Sequence, residues 1–368
     1  MSALVKHDPL LRIVKRGSIS KKQSWAIRIA AILLALLISG LFIFAVTKLN
    51  PIAVYEAMFD GAFGSSKRTW VTIRDTMLLL CIGVGLAPAF KMRFWNVGAE
   101  GQVLMGGCIT AGLMIYFGKS LPTSALLLIM AAASLLGGAL WGIVPAVFKA
   151  RWNTNETLFT LMMNYVAIQL TSYCVALWEN PPGSNTVGVI NQRTKAGWFP
   201  AIFGQDYLLN VILVLALTVG MYLYLRYSKQ GYEISVVGES SNTARYAGID
   251  LSRVYLRTMA ISGAICGLAG FIAVSGMGHT ISTSTAGGRG FTAIIVAWLA
   301  KFNTFVMILI SALLVFLQKG AIQIASQFKL DSNASNIITG IILFCIIGSE
   351  FFINYKLIFR HRKEAAKS

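Results

Sequence analysis

The sequence predicts an all-α, polytopic integral membrane protein with about ten transmembrane helices, some of them broken or half-length. Three observations predict this class. Hydrophobic residues make up 56% of the 368 positions, only 12% of positions are charged, and the mean hydropathy is +0.68. Charged residues make up about a quarter of a typical soluble domain. Several runs in this sequence reach the roughly 20 apolar residues that a membrane crossing needs. The basic residues cluster between those runs, as the positive-inside rule describes.

The first five predicted crossings follow a basic N-terminal segment. Residues 1–24 carry Lys6, Arg12, Lys15, Arg16, Lys21 and Lys22 against Asp8, which predicts a cytoplasmic N-terminus. A polar external loop is predicted at 50–70, and a short polar break is predicted at 91–96. The apolar runs predict helices at about 25–47, 71–90, 95–117, 123–148 and 157–178.

The second half of the sequence is less regular. Residues 179–205 form a polar, weakly charged loop on the predicted external side, and 226–253 is a basic, cytoplasmic stretch. The apolar run 291–300 is too short for a full crossing, which indicates either a half-helix or a tilted segment buried in protein. The remaining helices are predicted at about 207–225, 254–275, 303–319 and 335–354.

The charges at the two ends set the parity of the crossings. The tail carries Lys356, Arg360, Arg362, Lys363 and Lys367, so both ends are predicted in the cytoplasm and the count must be even. Ten crossings result if 291–300 counts as one, and eight or nine plus a re-entrant turn is the rival count. The predicted division is a cytoplasmic segment 1–24, a transmembrane domain 25–354 with a cytoplasmic loop at 226–253, and a basic cytoplasmic tail 355–368.

A short echo connects two helix breaks. Arg93-Phe94-Trp95-Asn96 and Lys301-Phe302-Asn303 each separate two apolar segments. Transporters often contain two related halves. Two short matches allow an internal repeat without requiring one.

Polar residues inside apolar runs are the candidates for function, because a charge at the membrane centre costs roughly 2.5–3.5 kcal/mol on insertion scales. Asn96, Glu100 and Gln102 lie at the predicted start of a helix, directly after the break at 91–96. They are predicted either to face a polar pathway or to hold helices together by hydrogen bonds. Gly98 and Gly101 are predicted to allow a helix break or a close approach of another helix.

Further pathway candidates lie later in the chain. Asn164 and the adjacent Tyr165 lie well inside the fifth predicted helix, on which Glu156 occupies the first turn. Residues 282–289 are rich in glycine, serine and threonine, which suits irregular backbone lining a cavity. Arg289 at the end of this stretch is predicted either to line the pathway or to anchor at the membrane interface.

The cytoplasmic loop contains a short segment that predicts a docking helix. Residues 240–247 can form a helix with a serine or asparagine N-cap, closed by Gly248. A short helix between membrane helices needs a partner, and in a transporter without a nucleotide site we expect that partner to be an ATPase. The alternative, a helix lying on the lipid headgroups, is less favoured because the segment is not strongly amphipathic. The predicted coupling residues are Glu239, Asn242, Ala244, Arg245, Tyr246 and Gly248.

Enzyme chemistry finds little support in the sequence. The three histidines do not share metal-ligand spacing, so no metal site is predicted. The segment from Gly112 to Ser120 resembles a phosphate-binding loop but has five residues between its glycines instead of four. We therefore predict no catalytic residue and no cofactor bound by this chain, and the clustering of the basic charge argues against nucleic-acid binding.

Three segments carry a resemblance to a known family. Residues 93–102, Asn155-Glu156-Thr157 through Met163-Asn164-Tyr165, and 238–250 resemble motifs of permease subunits of sugar- and nucleoside-type ABC importers, the ribose-permease-like superfamily. The likeness extends over about residues 70–320 and is closest to the nucleoside branch that works with basic-membrane-lipoprotein binding proteins. Trp95 and Thr157 depart from the usual residues, which leaves the exact substrate open.

The resemblance implies a shared design in a bacterial cytoplasmic (inner) membrane. Two permease chains, commonly non-identical, would form one pathway among membrane lipids. A separate ATPase with two nucleotide-binding domains would hold ATP and Mg²⁺, and an extracytoplasmic lipoprotein or periplasmic protein would deliver a nucleoside. A simple sugar such as ribose or galactose is the alternative substrate. An ion-coupled secondary transporter, with Glu100 as a proton or sodium site, is the alternative of another class.

Overall fold

A computed structural model describes residues 11–16, 20–329 and 332–359. Seven helices within these ranges are long and apolar enough to cross a membrane, and the predicted all-α membrane class is confirmed. The helices are α1 (Lys21–Thr47), α2 (Pro51–Phe63), α3 (Ser66–Lys91), α4 (Ala99–Phe117), α5 (Thr123–Trp152), α6 (Glu156–Leu177), α7 (Leu208–Tyr227), α8 (Lys229–Glu239), α9 (Ser241–Tyr246), α10 (Leu251–Ala273), α11 (Arg289–Leu299), α12 (Thr304–Gln327) and α13 (Ser332–Asn354).

The chain divides into two compact units. Residues 66–315 form one unit, which contains α3 to α11 and the first half of α12. Residues 1–65 and 316–368 form the other. Each of the ten predicted apolar segments coincides with a helix, although the crossing count and the division at 24 and 354 stay predictions.

The core of the 66–315 unit is built by glycines that bring helices into backbone contact. α10 packs against both α4 and α5. A Cβ atom on Gly267 would lie 2.2 Å from the carbonyl oxygen of Ser134, and one on Gly106 would lie 2.2 Å from the carbonyl oxygen of Gly267. Small residues permit this approach, which drives association of membrane helices where no hydrophobic effect operates between them.

The prediction of a loop at 50–70 is wrong. Its first part folds as α2, because the Asn50 side chain accepts a hydrogen bond from the Ile52 N–H and Pro51 suits the first helical position. Val54, Ala57, Met58 and Ala62 form the buried face of this helix. The apolar spacing identifies a helix, and the polar residues between these positions hid it.

The chain ends also differ from the prediction. α1 starts at Lys21 instead of Trp25, and Ser20 caps it by accepting a hydrogen bond from the Gln23 N–H. Two strands that were not predicted, β1 (Leu11–Lys15) and β2 (Tyr355–Phe359), pair antiparallel. The predicted basic residues Lys6, Arg360, Arg362, Lys363 and Lys367 lie outside the described residues.

Two further boundaries differ in the middle of the chain. α4 begins at Ala99, so residues 92–98 form a longer break than predicted. The stretch 226–253 contains two helices, α8 and α9, instead of one. The Ser228 side chain accepts a hydrogen bond from the Gly231 N–H and starts α8 directly after α7.

Candidate functional site

α10 and α11 are separated by a break in the helix. The last turn of α10 widens into a π-helical segment at Val274–Gly278, and His279 then adopts a left-handed conformation with φ of 51°. Residues 280–288 are irregular, and Gly287 and Gly288 have φ of 61° and 73°, which favours glycine. α11 is therefore a half-helix of 11 residues, as the sequence predicts.

Glu100 holds the start of this half-helix. Its Oε1 accepts a hydrogen bond from the Gly288 N–H at 2.7 Å, and its Oε2 accepts one from the Gly290 N–H at 2.8 Å. The carboxylate, which is 7% exposed, thus satisfies N–H groups at a helix N-terminus, where the helix dipole favours negative charge. A Cβ on Gly290 would lie 2.5 Å from the Glu100 nitrogen, so the two segments are in backbone contact.

Asn96 and Gln102 form a reciprocal amide pair beside Glu100. The Asn96 Nδ2 donates to Gln102 Oε1, and the Gln102 Nε2 donates to Asn96 Oδ1, both at 3.3 Å. Asn96 Nδ2 also donates to Ser262 Oγ on α10 at 3.1 Å. Both amides are buried, so they connect the break at 92–98 with α4 and α10.

Asn164 ties α6 to the same break. Its Oδ1 accepts a hydrogen bond from the Gly101 N–H at 2.8 Å, and its Nδ2 donates to the Val97 carbonyl at 2.9 Å. A Cβ on Gly101 would lie 3.0 Å from Asn164 Oδ1, and one on Gly98 would lie 3.2 Å from Thr160 Cβ. Both glycines therefore stand where α6 approaches the start of α4.

The structure brings four of the six predicted pathway residues together, and each of the four is hydrogen-bonded to other groups of the protein. Asn96, Glu100, Gln102 and Asn164 surround the break and are buried. Tyr165 follows Asn164 on α6, but it is 59% exposed. Their part in substrate passage stays a prediction.

Arg289 belongs to a charged group that the sequence analysis missed. Its Nη2 lies 3.9 Å from Asp75 Oδ1. Arg74 donates to the same oxygen from Nε at 3.1 Å and from Nη2 at 3.0 Å, and its guanidinium lies 5.0 Å from the ring centroid of Tyr207. Asp75 is 3% exposed. The signal was an Arg-Asp pair inside a predicted membrane helix, where charges are costly.

The two short breaks at 93–96 and 301–303 follow helices that end in the same way, and residues next to the two breaks are in contact. Arg93 and Lys301 both adopt left-handed conformations, with φ of 60° and 49°. The next N–H in each case donates to a carbonyl five residues back, from Phe94 to Ala89 and from Phe302 to Ala297. Trp95 stacks on Trp298 with centroids 5.2 Å apart. An internal repeat stays a prediction, but the shared stop explains the echo.

The predicted coupling segment is formed by α8 and α9. Ser240 Oγ accepts a hydrogen bond from the Thr243 N–H. At the other end of α9, the Gly248 N–H donates to the Arg245 carbonyl and the Ile249 N–H donates to the Ala244 carbonyl. Gly248 has φ of 74°, so it closes the helix as predicted.

The coupling residues divide between an outward and an inward face. Tyr246 is 93% exposed and Ala244 is fully buried, so Ala244 holds α9 against the protein. The other predicted coupling residues are exposed: Glu239, Asn242, Arg245 and Gly248.

α8 connects α9 with the break at 92–98. A Cβ on Gly238 would lie 2.1 Å from the Lys91 carbonyl oxygen at the end of α3. The Arg257 Nη2 on α10 also donates to Glu233 Oε2 on α8 at 2.8 Å. A displacement of α8 would therefore act directly on Lys91 and Met92, where the break begins, and on α10.

Comparison with known proteins places this geometry in context. Residues 71–347 match the model of the family described as the permease component of the branched-chain amino acid transport system. The chain is 30% identical over 320 residues to the guanosine ABC transporter permease protein NupP of Bacillus subtilis, covering 85% of this chain and 90% of that protein.

Two further relatives span nearly the same length. Identity is 28% over 362 residues to the glucose ABC transporter permease protein TsgB13 of Haloferax volcanii, covering 94% of this chain and 93% of that protein. It is 27% over 322 residues to the nucleoside ABC transporter permease protein NupB of Lactococcus lactis, covering 84% and 86%.

Proposed function

The chain belongs to the family described as the branched-chain amino acid transport system permease component, and we propose from that premise that it forms the pathway of an ATP-driven importer for nucleosides. It is a transporter subunit, not an enzyme, and an ABC permease works with an ATPase and a substrate-binding protein. The observation that carries the proposal is the break between α10 and α11, at which Glu100 holds the start of α11. Broken helices at the membrane midplane form the substrate sites of many transporters.

The substrate would pass beside α11 and the irregular residues before it. Thr283, Ser284 and Gly287 are exposed in this stretch, and their hydroxyl and backbone groups would suit the ribose hydroxyls of a nucleoside. Phe291 and Trp298 on α11 are 45% and 43% exposed, and aromatic rings suit stacking of a base. Glu100 would hold the start of α11, and Asn96, Gln102 and Asn164 would hold the break at 92–98. Arg289 would line the passage.

ATP would act through α9. The exposed Tyr246 and Arg245 would enter a cleft of an ATPase with two nucleotide-binding domains, which would hold ATP and Mg²⁺, and this chain would bind no cofactor. Closure of the ATPase would move α8, and α8 contacts Lys91 at the edge of the break. The break at 92–98 would then carry the movement to α11. The pathway would open in turn to the two sides of the membrane. A second, non-identical permease chain would complete the pathway.

The orientation follows from charge. The basic segments near Arg12 and Lys356 and the stretch 226–253 would face the cytoplasm of a bacterium. Both ends of the chain and α9 would then lie on one side of the inner membrane. The loop 179–205 would face a lipoprotein or periplasmic binding protein that delivers substrate.

A simple sugar is the second candidate substrate, since a glucose permease protein is among the relatives. Uptake of labelled guanosine in cells that carry the assembled importer, with unlabelled nucleosides, ribose, galactose and glucose as competitors, separates the two. We expect competition by other nucleosides and little competition by sugars at the same excess. Competition by glucose or ribose with none by nucleosides would favour the sugar reading.

A further inference from the structure

A long apolar groove runs between α1 and α13. The two helices pack against each other within the unit formed by residues 1–65 and 316–368. The groove has a volume of about 940 Å³. Its lining is apolar except for Ser349 and Arg16, and it includes Ala30, Ala31, Leu34, Ile38, Ile337, Gly340, Phe344 and Gly348.

Small residues create this groove. Gly340 and Gly348 lie on the α13 side, and a Cβ atom on either would meet nothing within 4 Å. Ala30 and Ala31 lie opposite on α1. The space is therefore real room beside the helices, and it has the shape of a slot along the helix axes.

On its α1 side the slot has about the length of one leaflet of a bilayer. Ile27 and Ile38 mark its extent on α1. Eleven residues of α-helix rise about 16 Å, which is close to half of a hydrocarbon core of about 30 Å. One acyl chain lying along the slot would stay within a single leaflet.

A cation stands at one end of the slot. Arg16 follows β1 and lines the groove, and its buried Nε has no hydrogen-bond partner among the described residues. A buried guanidinium donor without an acceptor is costly. Arg12 and Lys15 on β1 and Lys356 on β2 expose further positive charge on the same sheet, and neither strand contains an acidic residue.

We propose that this groove is a binding site for an anionic phospholipid, with the phosphate on Arg16 and an acyl chain between α1 and α13. A phospholipid presents a phosphate followed directly by hydrocarbon, which is the order of Arg16 and the apolar slot. Basic pockets between membrane helices on the cytoplasmic side are known to hold anionic headgroups. A helix of a second chain would need an acidic side chain at one fixed place to satisfy the same arginine.

Photolabelling of the full-length chain, purified and reconstituted in bilayers, tests this site. The probes are phosphatidylglycerol and phosphatidylcholine that carry the same diazirine-bearing acyl chain. We expect labelled peptides from α1 and α13 with phosphatidylglycerol favoured about fivefold. Arg16→Gln should remove that preference, whereas Arg151→Gln, a change of an exposed arginine on α5, should retain it.

A second variant tests the slot itself and does not depend on the charge. Gly340→Leu with Gly348→Leu fills the groove, where the side chains have room, and should abolish labelling by both lipids, while Gly220→Leu on α7 should leave it unchanged. Equal labelling by the two lipids in the unmodified chain, or labelling elsewhere, would overturn the proposal. Loss of labelling on addition of inorganic phosphate would indicate a phosphate site. Protection by another permease chain in the assembled importer would indicate a protein occupant.

Discussion

Glu100 Oε2 accepts a hydrogen bond from the backbone N–H of Gly290 at 2.8 Å, across 190 positions of sequence. With the matching bond from Gly288, this contact attaches the start of the half-helix α11 to the first turn of α4. A residue that the sequence offered as a substrate or ion ligand thus has both oxygens engaged by the protein backbone. Its first role is to hold a broken helix inside the membrane domain.

Replacing Glu100 by glutamine should destabilise the chain as well as slow transport. Glutamine keeps one acceptor but places an NH₂ group against an N–H donor, and loss of a buried charged hydrogen bond costs about 1.5–3 kcal/mol. The thermal unfolding temperature in detergent and the rate of uptake in vesicles should both fall. Glu56→Gln, at an exposed position on α2, should leave both unchanged. Unaltered stability with a changed KM would instead assign Glu100 to substrate or ion binding.

Asn164→Leu should also lower stability, by about 1–3 kcal/mol for each buried group left unpaired. The change removes the partners of the Gly101 N–H and the Val97 carbonyl. Gln169→Leu provides a matched control, because it removes an exposed amide from the same helix. If Asn164→Leu blocks uptake and unfolds at the wild-type temperature, the residue acts on substrate instead.

Gly267→Ala should separate α10 from α5. The added Cβ would lie 2.2 Å from the Ser134 carbonyl oxygen and 2.9 Å from the Gly138 Cα, and overpacking of this kind costs about 1–3 kcal/mol. The unfolding temperature and the yield of folded protein measure the effect. Gly220→Ala, where nothing lies within 4 Å, should be neutral or mildly stabilising; equal behaviour of the two variants would contradict the close packing.

Tyr246→Ala should weaken binding of the ATPase by about tenfold or more, since buried aromatic residues often dominate interfaces. Tyr246 is 93% exposed and stands outside the packed part of the chain, so stability should not change. Co-purification of the ATPase and stimulation of its ATP hydrolysis are the measurements. Trp152→Ala, an exposed aromatic at the end of α5, is the control, and equal losses in the two variants would reject α9 as the docking element.

Much of the fold could be predicted from the sequence because apolar length and charge clustering act locally. The half-helix at 291–300 was predicted from its apolar length, and the closing role of Gly248 was predicted from the preference of glycine for the end of a helix. Both predictions are confirmed. α2 was missed because polar residues lie between the positions of its buried face, and β1 and β2 were missed because they pair across 340 or more positions. The sequence could not show that Glu100 meets Gly288, or that Trp95 meets Trp298, because those contacts depend on how helices pack.

The candidate site shows the same division. Polar residues in apolar runs pointed to Asn96, Glu100 and Gln102, and the structure gives all three partners within the protein. An unsatisfied polar side chain in this setting must find a partner. Whether each partner is a helix or a substrate depends on tertiary contacts, which a single sequence does not contain. Asp75 was passed over because its helix was interpreted only as a membrane span.

The most direct test of the central claim is uptake of labelled guanosine by proteoliposomes that contain this chain, its partner permease and the ATPase, with the binding protein added outside. We predict uptake that requires ATP inside the liposomes and persists when ionophores abolish all ion gradients. Uptake that follows a proton or sodium gradient and continues without ATP or the ATPase would contradict an ATP-driven importer.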